Sequence, residues 1–330
     1  MNLRIDSLFS TRRRLGLVLT LALGAAGLMA GPAFAQTRSE LRIGYQKYGT
    51  LTILKARGDL EKRLAPQGVD VKWTEFPAGP QLLEGLNVGS IDFGTVGEAP
   101  PIFAQAAGAD LVYVANQPPA PAGEAIVVGK ESPIRSVAEL KGRKVALNKG
   151  SNVHYLLVKA LEKAGVKYSE IQTVFLAPAD ARAAFERGSV DAWVIWDPFL
   201  AAAEKQLGAR VLADGKGLVA NHQFYLAARP YADKQPQVIR AIVEELAKLD
   251  RWAEGNSREV AAFLAPQIGL DLGVAEIAAG RFAYGIVPIT PTVAAQQQKI
   301  ADAFFELKLI PKAIRISDAL PTALKTASTP

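Results

Sequence analysis

The run Asn148-Lys149-Gly150-Ser151-Asn152-Val153-His154 is the strongest local candidate for chemistry in this chain. An apolar strand over 145–148 runs into a glycine, and Ser151 or Asn152 then stands where a helix begins. A helix start carries N–H groups without intrahelical partners and the positive end of the helix dipole, which together suit an anion. Two readings of Ser151 stay open: a plain cap, as serine often is, or a cap whose neighbouring amides also face a ligand. Lys149 is either a counter-charge for that anion or a solvated lysine. His154 falls beside the apolar stripe of the same helix, close enough to its first turn to bond a ligand or loop, or else to occupy the surface. A metal would need partners, and the chain has two histidines and no cysteine, with no second histidine at ligand spacing. No metal and no cofactor is expected.

A near-repeat gives these residues a setting. Gly89-Ser90-Ile91-Asp92-Phe93-Gly94-Thr95-Val96-Gly97-Glu98 is echoed by Gly188-Ser189-Val190-Asp191-Ala192-Trp193-Val194-Ile195-Trp196-Asp197, and Ile43-Gly44-Tyr45-Gln46-Lys47 by Val145-Ala146-Leu147-Asn148-Lys149. Two copies of a β-α-β-α-β unit account for both echoes; chance competes, because Gly-Ser before a strand is a common turn. Strands alternating with helices imply parallel sheets, which bind ligands beyond the carboxyl ends of their strands. Two such sheets face to face make a cleft, lined by Gln46, Asn148, Glu98 and Asp197. An acid-base pair of Glu98 and Asp197 is one reading. Carboxylates repel an anion, however, so binding donors in the opposite wall or latching the lobes is the other, and no catalytic residue is expected. Side chains alternate along 192–196, so Trp196 can wall a ligand's tail while Trp193 packs in the core. Asp180 caps its own helix or faces the cleft. The chain has no G-x-S-x-G elbow, H-E-x-x-H, P-loop or Rossmann glycine fingerprint between strand and helix.

The elements that position these residues follow from periodicity. Strands are expected over 40–45, 69–76, 145–148, 171–176 and 192–196, and helices over 50–64, from 77–80 through Val88, and over 180–187. Val153, Leu156, Leu157, Ala160, Leu161 and Ala164 form one helical stripe that stops at Gly165. The proline-rich segment 116–123 is a loop. Strands over 124–129 and 224–228 then carry the chain out to an inserted unit and back, the connectivity of a hinge. Lobe 1 is thus expected to comprise 36–123 and 229–330, and lobe 2 to comprise 124–228. Beyond Pro236 the pattern is helical, with stops near Gly255, Pro266, Gly280 and Pro288, and these helices are expected to pack on lobe 1.

Residues 1–35 read as a secretory signal: Arg12-Arg13-Arg14, an apolar stretch over 15–29, then Ala33-Phe34-Ala35. The apolar part is short for a membrane span, and the arginines leave both the general and the twin-arginine export routes open. Cleavage before Gln36 removes Arg4, Arg12, Arg13, Arg14 and Asp6, so a formal +6 becomes +3. The remaining lysines and arginines are scattered among acids, unlike a nucleic-acid footprint. Without cysteine there is neither a disulfide nor a lipid-bearing N-terminal cysteine, which implies a free periplasmic monomer held by its core. The mature length suffices for two domains.

Several stretches resemble the periplasmic aliphatic sulfonate-binding proteins of sulfonate ABC transporters: Leu41-Arg42-Ile43-Gly44-Tyr45-Gln46-Lys47, Glu75-Phe76-Pro77-Ala78-Gly79-Pro80-Gln81, Pro100-Pro101-Ile102-Phe103-Ala104-Gln105-Ala106, Pro178-Ala179-Asp180-Ala181-Arg182 and Phe224-Tyr225-Leu226-Ala227-Ala228-Arg229-Pro230. The likeness covers nearly the whole mature chain. It implies an α/β, two-lobed type II periplasmic binding protein fold whose mostly parallel sheets close on an alkanesulfonate. The ligand would pass to a membrane permease driven by a cytoplasmic ATPase, as a sulfur source. It places Gln46, Gly97, Glu98, Ala99, Ser151, Asn152, His154, Trp196 and Asp197 at the cleft, with Gly150 added by the helix-start argument. Glu98 stands where that family leads one to expect an aspartate, which bears on the tail more than on the headgroup. Taurine, nitrate or a thiamine precursor are alternative ligands, and a thiamine-pyrimidine synthase the enzymatic alternative; the export signal, two histidines and absent cysteine speak against the last. A sulfonate suits the helix start: a permanent monoanion with three acceptor oxygens needs several neutral donors, each charge-assisted bond contributing about 1.5–3 kcal/mol. N-terminal sequencing of periplasmic protein is expected to read from Gln36, and a retained apolar segment would overturn the signal assignment.

Overall fold

The computed structural model describes residues 38–321; the leader expected over 1–35 lies outside them. The first half of the near-repeat builds β1 (Ser39–Tyr45), α1 (Gly49–Arg57), α2 (Asp59–Leu64), β2 (Val69–Glu75), α3 (Gly79–Asn87), β3 (Phe93–Gly97), α4 (Pro100–Ala106) and β4 (Leu111–Asn116). The second half builds β5 (Glu124–Val128), β6 (Lys144–Leu147), α5 (Asn152–Lys163), β7 (Gln172–Phe175), α6 (Pro178–Glu186), β8 (Ala192–Trp196), α7 (Phe199–Leu207) and β9 (Arg210–Asp214). The chain then enters β10 (Gln223–Ala228) and ends in helices α8 (Arg229–Lys234), α9 (Pro236–Gly255), α10 (Ser257–Ile268), α11 (Leu272–Arg281) and α12 (Pro291–Glu306).

Two five-stranded sheets result, ordered β2-β1-β3-β10-β4 and β7-β6-β8-β5-β9. The two echoed segments occupy the same central place, β3 in one sheet and β8 in the other. β3 pairs in parallel with β1 and antiparallel with β10, just as β8 pairs in parallel with β6 and antiparallel with β5. Each sheet is therefore parallel except for one strand, and the repeat is a repeat of topology. The two central strands are buried on both faces, Phe93 to Gly97 and Ala192 to Trp196 alike, as sheets covered by helices on both sides require.

The expected crossings at 124–129 and 224–228 are corrected by this pairing. β5 lies inside the second sheet and β10 inside the first, with Phe224, Tyr225 and Leu226 essentially without exposure. Residues 224–228 therefore belong with the first lobe, and the links between sheets are 117–123 and 215–222. Both crossing strands are apolar because each is an interior strand of its own sheet, which made them look like connectors of one kind. The two links run side by side: the Ala120 amide donates to the Ala220 carbonyl at 3.0 Å, Gly215 to Pro121 at 2.9 Å and Gln117 to Gln223 at 2.9 Å.

The helical stripe expected on α5 is its buried face, with Val153, Leu156, Leu157, Ala160 and Leu161 in the core of the second lobe. Helix α9 buries Val238, Ala241, Ile242, Leu246 and Leu249 against the first lobe. Not all of the C-terminal helices stay there. Val274 of α11 packs with Ala201 and Ala202 of α7, and Phe304 of α12 meets Tyr155 of α5 at 5.8 Å between ring centroids. The last third of the chain thus ties both lobes. Among the described residues no helix is long and apolar enough to cross a membrane.

Trp193 is 1% exposed and lies 5.8 Å from Phe185, ring to ring, in the second lobe's core. Trp193→Ala is expected to cost about 3–5 kcal/mol in denaturant unfolding; a change below about 1 kcal/mol would show that this ring is not a core element.

Candidate functional site

A cleft opens between the carboxyl ends of the two sheets, with about 500 Å³ of space counting its mouth. Gln46 and Tyr48 beyond β1, Gly79 at the start of α3, Gly97 at the end of β3 and Gln223 at the start of β10 form one wall; Ser151 and Asn152 at the start of α5 and Trp196 and Asp197 at the end of β8 form the other. Arg281 and Phe282, at the end of α11, complete it.

The α5 start is built by three local devices. Gly150 takes φ +76°, a left-handed turn that suits glycine, and an added Cβ would lie 3.2 Å from Phe103 Cγ. Ser151 occupies the N-cap position, but its hydroxyl donates back to the Asn148 carbonyl at 2.7 Å instead of accepting from the helix. The His154 amide donates to the Ser151 carbonyl at 3.0 Å. Among the described residues the amides of Asn152 and Val153 find no acceptor. Ser151 therefore shapes the helix entrance without consuming its donors, and the plain-cap reading fails.

Asn152 is held by its own lobe and by a link while it meets the first lobe at Gly97. Its Nδ2 donates to Asn221 Oδ1 at 2.6 Å and to Glu124 Oε2 at 3.2 Å. A Cβ on Gly97 would fall 2.0 Å from Asn152 Oδ1, so only glycine admits this approach. On the first wall Gln46 Nε2 donates to the Thr95 carbonyl at 3.1 Å and to Tyr48 Oη at 3.2 Å, and Tyr48 Oη donates to Gln223 Oε1 at 2.8 Å. Trp196 lies in the cleft wall, edge-on to Phe199 at 6.2 Å, while Trp193 points into the core as alternation requires.

Several expected residues are elsewhere. Glu98 does not line the cleft. Its Oε2 accepts from the His222 amide at 3.0 Å, its carbonyl accepts from Gln297 Nε2, and it borders a separate cavity with His222 and Gln296. Burial pushes its carboxyl up to about 7. Its carboxylate neighbour is Glu124, itself pushed well up by burial and then by the charge of Glu98, so Glu98 and Asp197 form no acid-base pair. Ala99 packs in the first lobe's core. His154 is fully buried among Phe103, Tyr168, Phe175 and Phe304. Burial, then repulsion from Lys149, lowers its pKa to about 4; the neutral ring accepts from the Gly150 amide at 3.2 Å through Nδ1, which leaves Nε2–H to donate to Tyr168 Oη at 2.7 Å. It fastens the glycine turn, is not a surface group and does not line the cleft. Lys149 is exposed over the Phe175 ring, and Asp180 is exposed in the first turn of α6, whose N-cap is Ala177.

Asp197 is held from two sides. Its Oδ1 accepts from the Ala201 amide at 3.0 Å and stands 3.6 Å from Arg281 Nη1, which also donates to Glu204 Oε2 at 2.7 Å. Burial raises the Asp197 carboxyl to about 6 against the pull of Arg281. Arg281, Glu124, Asn221 and Tyr48 are absent from the sequence reading. Arg281 lies in a helix that periodicity marks only for packing, and Glu124 opens an apolar strand; no local pattern flags either.

Residues 64–252 match the family described as NMT1/THI5 like. A protein of Escherichia coli (strain K12) named putative aliphatic sulfonates-binding protein is 48% identical over 312 residues, 92% of this chain and 97% of that one. The solved structure of the alkanesulfonate-binding protein SsuA from Xanthomonas axonopodis pv. citri, bound to MOPS, superposes with a TM-score of 0.83 at 42% identity, covering 87% of this chain and 99% of that one. The crystal structure of the periplasmic aliphatic sulphonate binding protein from Escherichia coli gives 0.76 at 49% identity, covering 84% and 96%.

Glu98 makes stability depend on pH. Its carboxyl sits at about 7 in the fold against 4.5 ordinarily. Between those values the folded protein keeps a proton that the unfolded chain has released, so stability is full below the lower value and falls as pH rises, by about 3 kcal/mol in all. Glu98→Gln, which is always neutral, is expected to melt several degrees above the parent at pH 8, with the gain vanishing near pH 4.5. Equal melting temperatures across that range would show that Glu98 is ionised in the fold.

Proposed function

The chain belongs to the NMT1/THI5-like family, and on that premise we propose that it is a periplasmic solute-binding protein that captures aliphatic sulfonates in the interlobe cleft. The observation that carries this reading is the start of α5: two amides without acceptors and the Ser151 and Asn152 side chains stand together in the cleft wall. A sulfonate stays anionic at any physiological pH, so it calls for fixed donors and a helix dipole and not for a proton acceptor. Gln46 faces this helix start across the cleft, and Trp196 offers an apolar face to the tail, whose burial contributes about 0.8 kcal/mol per methylene.

In this reading the protein is exported by its leader and binds as a monomer. The lobes close about the paired links 117–123 and 215–222, and the closed form delivers its ligand to an ABC transporter permease for sulfur acquisition. Binding without turnover fits the site better than catalysis, since neither His154 nor Glu98 reaches the cleft.

Ser151→Glu places a tethered carboxylate on the same donors and suits a helix start. It is expected to leave the circular dichroism spectrum intact and to weaken alkanesulfonate binding by about a hundredfold or more in calorimetry, the loss of two charge-assisted bonds. Trp196→Ala is expected to weaken hexanesulfonate more than methanesulfonate. Unchanged affinity in a folded Ser151→Glu protein would remove the helix start from the binding site.

A further inference from the structure

Resting on the sulfonate reading, we propose that Glu124, held as a neutral acid, is a positioning residue for the α5 start, and that the buried pair Glu98 and Glu124 takes up protons as the sulfonate binds. Glu124 is the first residue of β5, next to Gly123 of the cleft lining, and has no exposure. Its Oε2 accepts from Asn152 Nδ2 at 3.2 Å, and Asn221 Oδ1 accepts from the same group at 2.6 Å. Asn152 is the first residue of α5 and supplies one of the two amides that find no acceptor among the described residues. Its side chain is fixed between two acceptors, and the backbone that bears the amide is fixed with it. An ionised Glu124 would place a negative charge one side chain away from the anion, whereas an apolar residue there would strand a buried donor at a cost in free energy. The neutral acid accepts without repelling.

The surroundings supply no counter-charge. Among the described residues no basic side chain acts on either carboxyl, and each keeps one oxygen, Oε1, buried without a partner. Glu98 follows Gly97 of the first wall and comes from the other lobe, yet its charge raises Glu124 further, so the two share one poorly solvated region. A sulfonate at the α5 start adds another negative charge beside that region, and like charges disfavour ionisation. The complex then keeps protons that the free protein releases as pH rises through about 7, where burial sets the Glu98 carboxyl. Affinity is full below that value and falls above it. Other ionisable groups face the pair. Tyr155 of α5 and the exposed Lys299 of α12 border the cavity of Glu98, with Tyr155 pushed up to about 12 by burial and then by Glu98. The His222 ring in the link holds the Gln117 carbonyl at 2.9 Å and Gln296 Oε1 at 3.3 Å, and Tyr113 of β4 meets Gln297. Beside Glu124, Asp197 follows Trp196 of β8, while Asp214 of β9 lies opposite Ala125 and pairs with Lys216 at 3.5 Å. Asp197, raised to about 6 by burial, ionises before Glu98 does, so the range above pH 7 reports on the pair.

Calorimetry of butane-1-sulfonate at pH 7.5, in two buffers that differ in ionisation enthalpy and carry no sulfonate, counts the protons taken up. The parent is expected to take up about half a proton per sulfonate and to lose affinity about fivefold between pH 7 and pH 9, as a shift of about one pH unit on binding requires. Glu98→Gln combined with Glu124→Gln, neutral at every pH, is expected to take up none, and His222→Gln to keep the uptake. Glu124→Ala is expected to weaken binding at pH 6 by about tenfold, and Glu124→Gln, which keeps the acceptor, to recover most of that loss. Should Glu124→Ala not fold by circular dichroism, Glu124→Asp, whose shorter stem withdraws the acceptor, takes its place. Absence of uptake in the parent, uptake that survives the double substitution or disappears with His222→Gln, or a folded Glu124→Ala protein that binds as the parent does, overturns the proposal and leaves the sulfonate reading standing. A parent that binds no butane-1-sulfonate overturns both.

Discussion

The approach of Asn152 to Gly97 is the constraint on which the rest of the site depends. One amide side chain from the second lobe is held by Glu124 and Asn221 while its oxygen occupies the volume that any Cβ at position 97 would take. The start of α5, the end of β3, the first residue of β5 and the link before β10 are fixed to one another through that single residue. The arrangement buries two carboxyl groups, Glu98 and Glu124, each with one oxygen lacking a partner among the described residues. Burial of that kind favours the neutral acid.

Around this junction the two halves share their work unequally. The first lobe contributes a rigid wall, Gln46, Tyr48 and Gln223 joined by hydrogen bonds. The second contributes free donors and an aromatic face. Helix α11, from the last part of the chain, brings the Arg281 guanidinium to the cleft lining and lays it against two acids of the second lobe. A helix anchored through α10 to the first lobe and packed on α7 of the second couples the lobes apart from the two covalent links.

His154 illustrates how placement decides role. The same imidazole at a helix start could bond an anion, but four aromatic rings exclude water from it and hold it neutral. It then serves the backbone, accepting the Gly150 amide and thereby keeping the turn that presents Ser151 and Asn152. The free donors of α5 are a product of this packing as much as of the local motif.

The elements were legible because they are local: the stripe of α5, the strand alternation that separates Trp193 from Trp196, and the doubled phrase that became β3 and β8 all follow from periods of 3.6 and 2. The repeat carried the equivalence of the two sheets, and the Gly150-Ser151-Asn152 run marked a helix start, with Ser151 left open between a plain cap and a donor site. What the sequence did not contain was the company each side chain keeps. Glu98 is turned from the cleft by His222 and Gln297, His154 is enclosed by rings from Phe103 to Phe304, and Arg281 reaches the cleft across residues that no spacing connects to Asp197. The sheets that β5 and β10 join were hidden for the same reason: an apolar run specifies burial on both faces but not the neighbour that buries it. Local geometry is set by bonded neighbours and their propensities, whereas charge state and partner depend on contacts between distant segments, which exist only once the two lobes have packed.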